Sequence, residues 1–124
     1  MTTEYTSDRT FVVRQYTVFH HQRLLLRSSR ETSTGTRVDL HVGGVTAMLL
    51  RPSYPGLTIR EGTAEDRERV AALLGPEVFR HGGRLHVIGE DWKTGFVVGG
   101  PLECRETYAD DDEPSGFLHM PTTA

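Results

Sequence analysis

The sequence predicts an α+β domain, in which a curved antiparallel sheet of about seven strands carries one main α-helix, at about residues 64–74, packed on it. Short segments of alternating apolar and polar residues recur along the chain, and turns containing Gly or Pro separate them. Short turns of this kind favour antiparallel pairing of neighbouring strands. A single segment spaces its apolar residues as a helix does.

The chain has 124 residues, which suffices for one domain with a sizeable core. We expect a flexible N-terminus at residues 1–9, a single α+β domain at residues 10–108, and an acidic, partly ordered tail at residues 109–124. The longest apolar run, residues 45–50, is far too short to span a bilayer, and the N-terminus lacks the pattern of a secretory signal. The single cysteine excludes an internal disulfide framework. We therefore expect a cytoplasmic protein.

Residues 37–51 (RVDLHVGGVTAMLLR) are expected to form the central hairpin of the sheet. In the first half, apolar residues alternate with Asp39 and His41, as in a strand with one buried face. Gly43–Gly44 suits a two-residue hairpin turn. Residues 45–50 are apolar almost throughout, which predicts a strand covered on both faces.

Other strands are expected on both sides of this hairpin. Residues 11–28 are too long for one ordinary strand, so we expect two strands or a bulge there. Residues 57–60 predict a short strand, and residues 84–89 and 95–100 predict a hairpin around the loop EDWKT. Residues 102–108 predict an edge strand.

The helix is predicted from its end signals as well as from its periodicity. Thr63 is a suitable N-cap, and Asp66 can reach back to it in a capping box. Gly75 and Pro76 end the helix. The apolar stripe that should dock on the sheet consists of Val70, Ala71, Leu73 and Leu74.

One candidate active site lies on the polar face of the expected hairpin. Asp39 and His41 point the same way from one strand, and His86 on a neighbouring strand, with Glu90 nearby, could complete a pocket or a metal site. A small biosynthetic or hydrolytic enzyme would use Asp39 to orient His41 as a base. The chain has no G-x-S-x-G elbow, no phosphate-binding loop and no zinc-type spacing of ligands. We therefore expect no metal and no cofactor.

Charge is distributed unevenly along the chain. Residues 1–60 carry eight arginines against four acids, a balance of +4, and residues 61–124 carry six basic groups against thirteen acids, a balance of −7. Arginines in the first half, with Tyr16 and Phe19 among them, could form a strip that binds nucleic acid. The net charge of −3 argues against this function.

The acidic C-terminal region is the strongest functional signal in the sequence. Six acids fall within residues 103–113, and they could dock a basic protein without any catalytic group. An aromatic residue on the loop between two strands could serve as an anchor for the same partner. The residues expected to contact the partner are Trp92, Glu103, Glu106, Tyr108, Asp110, Asp111, Asp112 and Glu113.

The leading hypothesis is therefore a small cytoplasmic, non-enzymatic binding protein of immunity or antitoxin type, or a regulatory protein, that docks a basic partner. The enzyme with a pocket around Asp39, His41 and His86 is the first alternative, and nucleic-acid binding by the basic N-terminal half is the second. No membrane partner is expected. The sequence does not determine the oligomeric state, and a homodimer is compatible with it.

Overall fold

The computed structural model describes residues 2–18, 22–29, 35–111 and 115. Within these ranges the chain forms one open antiparallel sheet of eight strands and one α-helix, so the α+β class is confirmed. The strands are β1 (Thr3–Thr17), β2 (Arg23–Ser28), β3 (Arg37–Val42), β4 (Ala47–Leu49), β5 (Ser53–Glu61), β6 (Arg84–Ile88), β7 (Phe96–Gly99) and β8 (Leu102–Thr107). Helix α1 spans Ala64–Leu74, and short 3-10 turns span Pro76–Phe79 and Trp92–Thr94. No described helix is long and apolar enough to cross a membrane.

The strand order across the sheet is β4-β7-β6-β5-β1-β2-β3-β8. The sheet has eight strands rather than seven because residues 11–28 contribute to two separate strands, β1 and β2. The register of this pair shifts between Val13 and Gln15, so the expected irregularity is present as well. Residues 3–9, whose composition suggested flexibility, are the first part of β1, and several of them pair with β5.

The predicted hairpin at residues 37–51 is wrong, because β3 and β4 do not pair with each other. β3 lies between β2 and β8, and β4 pairs with β7. The chain continues forward through the glycine pair, so that Val42 lies opposite Leu102 and Ala47 lies opposite Val98. The segment from β3 to β4 therefore runs beside the segment from β7 to β8, with a bend where the glycines meet.

The expectation that residues 45–50 are covered on both faces is also wrong. Val45 is buried, but Met48 is 37 % exposed and Leu49 is 43 % exposed. β4 is only three residues long and is an outermost strand of the sheet, with β7 as its one neighbour in the strand order. A short edge strand cannot bury both of its faces.

The core consists of two clusters on opposite faces of the sheet. The first contains the inward residues of most strands, among them Phe11, Leu40 and Ile59. The second lies between α1 and the β6–β7 pair, and its buried members are Val70, Leu85, Val87, Phe96 and Val98. Residues on β6 and β7 alternate between the two clusters, because successive side chains of a strand point to opposite faces. These two strands are therefore covered on both faces.

The predicted ends of α1 are confirmed. The N–H of Asp66 donates to Thr63 Oγ1 at 3.1 Å, and the N–H of Thr63 donates to Asp66 Oδ2 at 2.9 Å, which completes the capping box. The helix ends at Gly75, whose N–H donates to the Ala71 carbonyl. Of the predicted apolar stripe, Val70 is buried and Ala71 is half-buried, but Leu73 and Leu74 are 60 % and 41 % exposed. The helix touches the sheet along a narrow strip.

Replacing Asp66 by asparagine is expected to lower the free energy of unfolding by about 1–2 kcal/mol at neutral pH, because it removes a cap and an ion pair with Arg60. The hydrogen bond from Arg60, at 2.7 Å, is the main cause that holds the pKa of Asp66 below its ordinary value of 3.8. A carboxyl group whose pKa is lower in the folded state stabilises that state at pH values above its pKa in the unfolded chain. This stabilisation disappears as the pH falls through the pKa of the folded state.

Denaturant unfolding at pH 7 and at about pH 2 measures this effect, and the difference between the variant and the parent protein should shrink at the lower pH. Glu65→Gln in the same helical turn is the control, because the Glu65–Arg69 pair is exposed and is worth about 0.5 kcal/mol or less. Equal losses for the two variants would contradict the prediction.

Candidate functional site

A cleft of about 570 Å³ lies where three loops meet. These loops are the β3–β4 connection, the segment before β6, and the β7–β8 turn. Each contributes one of the three Gly-Gly pairs in the sequence, Gly43–Gly44, Gly82–Gly83 and Gly99–Gly100. We call this cavity the glycine cleft. The three pairs are far apart in the sequence, and the fold brings them together around one space.

The space and the backbone conformation differ among the glycines of this cleft. A Cβ atom at Gly99 would lie 2.9 Å from the Gly43 carbonyl oxygen, so this position permits the close approach of two backbones. Gly44 has φ +61°, which favours glycine. At Gly43 a Cβ would meet only the His41 ring, at 3.4 Å from Cε1, which is ordinary contact. Gly43 can therefore accept an alanine whose methyl group enters the cleft.

His41 and Glu103 form a hydrogen-bonded pair at the wall of the glycine cleft. His41 Nδ1 lies 2.9 Å from Glu103 Oε1, and the two residues are opposite each other on β3 and β8. The His41 side chain is 8 % exposed, and that of Glu103 is 54 % exposed. The sequence suggested Asp39, on the same strand, as the partner of His41. It did not indicate Glu103, because only the strand order places β8 beside β3.

Asp39 instead forms ion pairs with two arginines. Arg27 Nε and Nη2 donate to the two Asp39 oxygens at 2.8 and 3.2 Å, a bidentate contact, and Arg37 Nη2 lies 3.5 Å from Oδ2. All three side chains are less than 5 % exposed. We call this group the Arg–Asp–Arg cluster (Arg27, Asp39, Arg37). It gives Asp39 a structural role that the sequence did not indicate.

The start of the acidic tail lies on this cluster. Arg27 Nη1 donates to the Asp111 carbonyl at 2.7 Å, and Arg37 Nη1 donates to the Asp110 carbonyl. Both aspartates are themselves exposed. These contacts use main-chain oxygens, and they attach residues 110–111 to the outer face of β2 and β3. Asp112 and Glu113 lie outside the described residues.

His86 lies on a different face of the sheet from His41. It alternates with Leu85 and Val87 of the second cluster and is 2 % exposed. Its Nδ1 is 2.6 Å from Glu4 Oε2, and its Nε2 is 2.7 Å from the Gly100 carbonyl oxygen. The structure therefore does not bring Asp39, His41 and His86 into one pocket.

Glu90 also has a separate place, because its carbonyl accepts a hydrogen bond from Arg60 at 3.1 Å and the residue is exposed. Among the described residues, no group of three or more His, Cys, Asp or Glu side chains is placed to hold a metal ion.

The acidic side chains of β8 lie on both faces of the strand. Glu103 shares one face with Arg105, and Glu106 shares the other with Cys104, because side chains alternate along a strand. Glu106 Oε2 accepts from the Thr36 hydroxyl at 2.6 Å and lies 3.4 Å from Arg9, yet its side chain remains 52 % exposed. Tyr108, which follows the strand, is 77 % exposed.

Trp92 is half-buried on the β6–β7 connection. It packs against the second core cluster, and its ring centroid lies 6.5 Å from that of Phe96. The cation of Lys93 lies 5.8 Å from the Trp92 ring. Trp92 therefore contributes to the core rather than projecting from a loop tip.

Cys104 lacks the features of a reactive thiol. Partial burial is the largest cause that raises its pKa, and the carboxylates of Glu106 and Asp39 act in the same direction. A raised pKa leaves less thiolate, which is the nucleophilic form.

The basic strip expected in the N-terminal half is partly internal. Arg27 and Arg37 are buried in the Arg–Asp–Arg cluster and cannot reach an outside ligand. Arg9 contacts Thr36 and Glu106, Arg14 is exposed, and Arg30 lies outside the described residues.

No protein-family model matches the chain, and no curated protein or solved structure is significantly similar to it.

Proposed function

We propose that this protein is a small, cytoplasmic, non-enzymatic binding protein of immunity or antitoxin type, or a regulatory protein, that docks a basic protein partner. The docking surface is β8 together with residues 108–111. One observation carries the proposal: β8 is an outermost strand of the sheet and has half-exposed carboxylates on both of its faces.

An outermost strand can accept an added strand from another protein through its backbone groups. Only one edge of β8 has a neighbouring strand among the described residues, namely β3. Glu103 and Glu106 lie on opposite faces, so an added strand would meet a carboxylate on either face. A partner with basic side chains would therefore be favoured over an acidic one, by charge complementarity.

The residues after β8 extend the same surface. Asp110 and Asp111 are exposed, and their carbonyls are bound by the Arg–Asp–Arg cluster. A segment that is already attached loses less conformational entropy when a partner binds. Tyr108 adds a large aromatic side chain, a residue type that is enriched among the residues that dominate binding energy.

An enzyme that uses the glycine cleft is the second candidate. The observation in its favour is the His41–Glu103 contact of 2.9 Å, since a carboxylate that accepts from Nδ1 orients a histidine as a base. Asp39 and His86 do not line this cleft. The hydroxyl of Thr46, a cleft residue, donates to the Val78 carbonyl at 2.6 Å. Among the described residues that line it, the cleft therefore offers a base without an evident nucleophile, which makes this candidate the weaker one.

The docking proposal is tested by titrating the protein with a peptide of about eight residues that alternates Arg and Val, which can add to a sheet edge as a basic strand. Binding measured by calorimetry should weaken at least tenfold between about 50 and 500 mM salt. The double variant Glu103→Gln/Glu106→Gln should bind about tenfold more weakly at low salt, since it removes two exposed charges worth about 0.2–1 kcal/mol each.

Three controls accompany this titration. A peptide that alternates Glu and Val should not bind. Glu68→Gln neutralises an exposed acid on α1 and should leave the affinity unchanged. Gly43→Ala places a methyl group in the glycine cleft, where it would contact only the His41 ring, and it should also leave the affinity unchanged. Binding that is independent of salt, or that Gly43→Ala weakens more than the double variant does, would overturn the proposal.

A further inference from the structure

His86 is buried between two oxygen acceptors. The carboxylate of Glu4 lies 2.6 Å from Nδ1, and the carbonyl oxygen of Gly100 lies 2.7 Å from Nε2. The ring is 2 % exposed, whereas the Glu4 side chain is 21 % exposed. Both distances are at the short end for hydrogen bonds, as is usual when a donor or acceptor is charged.

A neutral imidazole carries one N–H and one lone pair, and only the imidazolium can donate from both nitrogens. Both partners of His86 are oxygens that accept. A neutral ring beside an ionised Glu4 would therefore place a nitrogen lone pair against an oxygen lone pair at 2.6 or 2.7 Å, which is repulsive. With Glu4 ionised, both hydrogen bonds form only when the ring is protonated.

We propose that His86 is a protonated clamp that joins the start of β1 to the turn before β8, and that deprotonation of its ring opens the clamp. The clamp is a feature of the fold and does not depend on the docking function.

The clamp belongs to a longer chain of hydrogen bonds. Beyond His86, the N–H of Gly100 donates to the carbonyl of Gly43 at 2.8 Å. The series runs from Glu4 in β1, through His86 in β6, to the β7–β8 turn and the β3–β4 connection. Loss of the proton would therefore affect the first residues of β1, the wall of the glycine cleft and the beginning of β8 together.

Charged side chains from three strands lie near the ring. Glu61 of β5 pairs with His86 in the sheet register, and Glu4 contacts the ring directly. Arg84, two residues earlier on β6, is the opposing cation. On β7 the register partner is Val97, and the turn adds the carbonyl of Gly100.

A cavity of about 430 Å³ reaches this group and gives the proton a route to solvent. Thr2, Glu4, Glu61, Arg84, Leu85 and His86 line it.

The sign of the pH effect follows from this geometry. Both hydrogen bonds are complete while the ring is protonated, and one is lost as the pH rises and the proton leaves. The backbone amides of the joined segments should therefore be best protected from hydrogen exchange in mildly acidic solution and less protected in alkaline solution.

The first measurement is NMR of the histidine ring nitrogens in the full chain. At about pH 5.5 both nitrogens of His86 should carry a proton, and at about pH 9 one of them should have lost it. The second measurement is amide hydrogen exchange at Thr3–Thr6 and Leu102–Cys104. After correction for the intrinsic pH dependence of exchange, these amides should exchange about tenfold faster once the ring is neutral.

Two variants and one control complete the test. His86→Gln should exchange at the faster rate at every pH. Glu4→Gln should lose much of the pH dependence, because its side-chain amide can accept from the charged ring and donate to the neutral one. The control is His81→Gln, an exposed histidine that lines the glycine cleft, and it should keep the parent pH profile. A His86 ring that is neutral at about pH 5.5, or protection that does not change while the ring deprotonates, would overturn the proposal.

Discussion

Replacing Asp39 by asparagine is expected to lower the free energy of unfolding by about 3–5 kcal/mol, because two buried guanidinium groups lose the carboxylate that both contact. Arg27 and Arg37 are 4 % and 2 % exposed, so water cannot replace the lost charge. Asparagine has nearly the same shape, which makes the change one of charge rather than of volume. The measurement is urea unfolding followed by circular dichroism at pH 7.

The matched control for this variant is Asp8→Asn, which makes the same chemical change at an exposed position of β1. It should change the free energy of unfolding by no more than about 0.5 kcal/mol. A loss below about 1 kcal/mol for Asp39→Asn would contradict a structural role for this carboxylate. If Asp39→Asn is too unstable to measure at pH 7, a thermal shift in the presence of a stabilising osmolyte gives the same comparison.

Replacing Phe96 by alanine is expected to cost about 3–5 kcal/mol, because it empties the centre of the cluster that attaches α1 to the sheet. Phe96 is 1 % exposed and packs with Val70 of the helix and with Trp92. Trp92 is the single tryptophan of the chain, so its fluorescence reports on this cluster alone. Its emission should shift to longer wavelength in the variant, together with the loss of stability.

Leu73→Ala serves as the comparison, since Leu73 is on the same helix but 60 % exposed. It should cost less than about 1 kcal/mol and leave the fluorescence unchanged. Unaltered tryptophan emission in Phe96→Ala would mean that Trp92 does not belong to the cluster.

Features with local causes were predictable from the sequence. The ends of α1 are set by the contacts of Thr63 with Asp66 and by Gly75, all within or next to the helix itself. Pro101 likewise indicates where β8 begins. In these cases the groups that form the structure are neighbours in the sequence, so their chemistry can be read directly.

The pairing of β3 and β4 was not predictable in this way. A Gly-Gly pair permits a tight turn, and it equally permits a bend in which two backbones approach closely. The local signal is the same in both cases. The outcome depends on Gly99 and Gly100, more than fifty residues further along the chain. A Cβ atom at Gly99 or Gly100 would lie 2.9 or 3.2 Å from the Gly43 carbonyl oxygen, so these two positions leave little room for a side chain.

The sequence by itself determined the α+β class, the position of the helix and the acidic character of the C-terminal region, because composition and periodicity express these properties residue by residue. The tertiary structure alone decided which charges meet. Asp39 binds Arg27 and Arg37, His41 binds Glu103, and His86 binds Glu4 and Gly100. Each pair is brought together by strand order and register, and these depend on how the whole core packs rather than on any one segment.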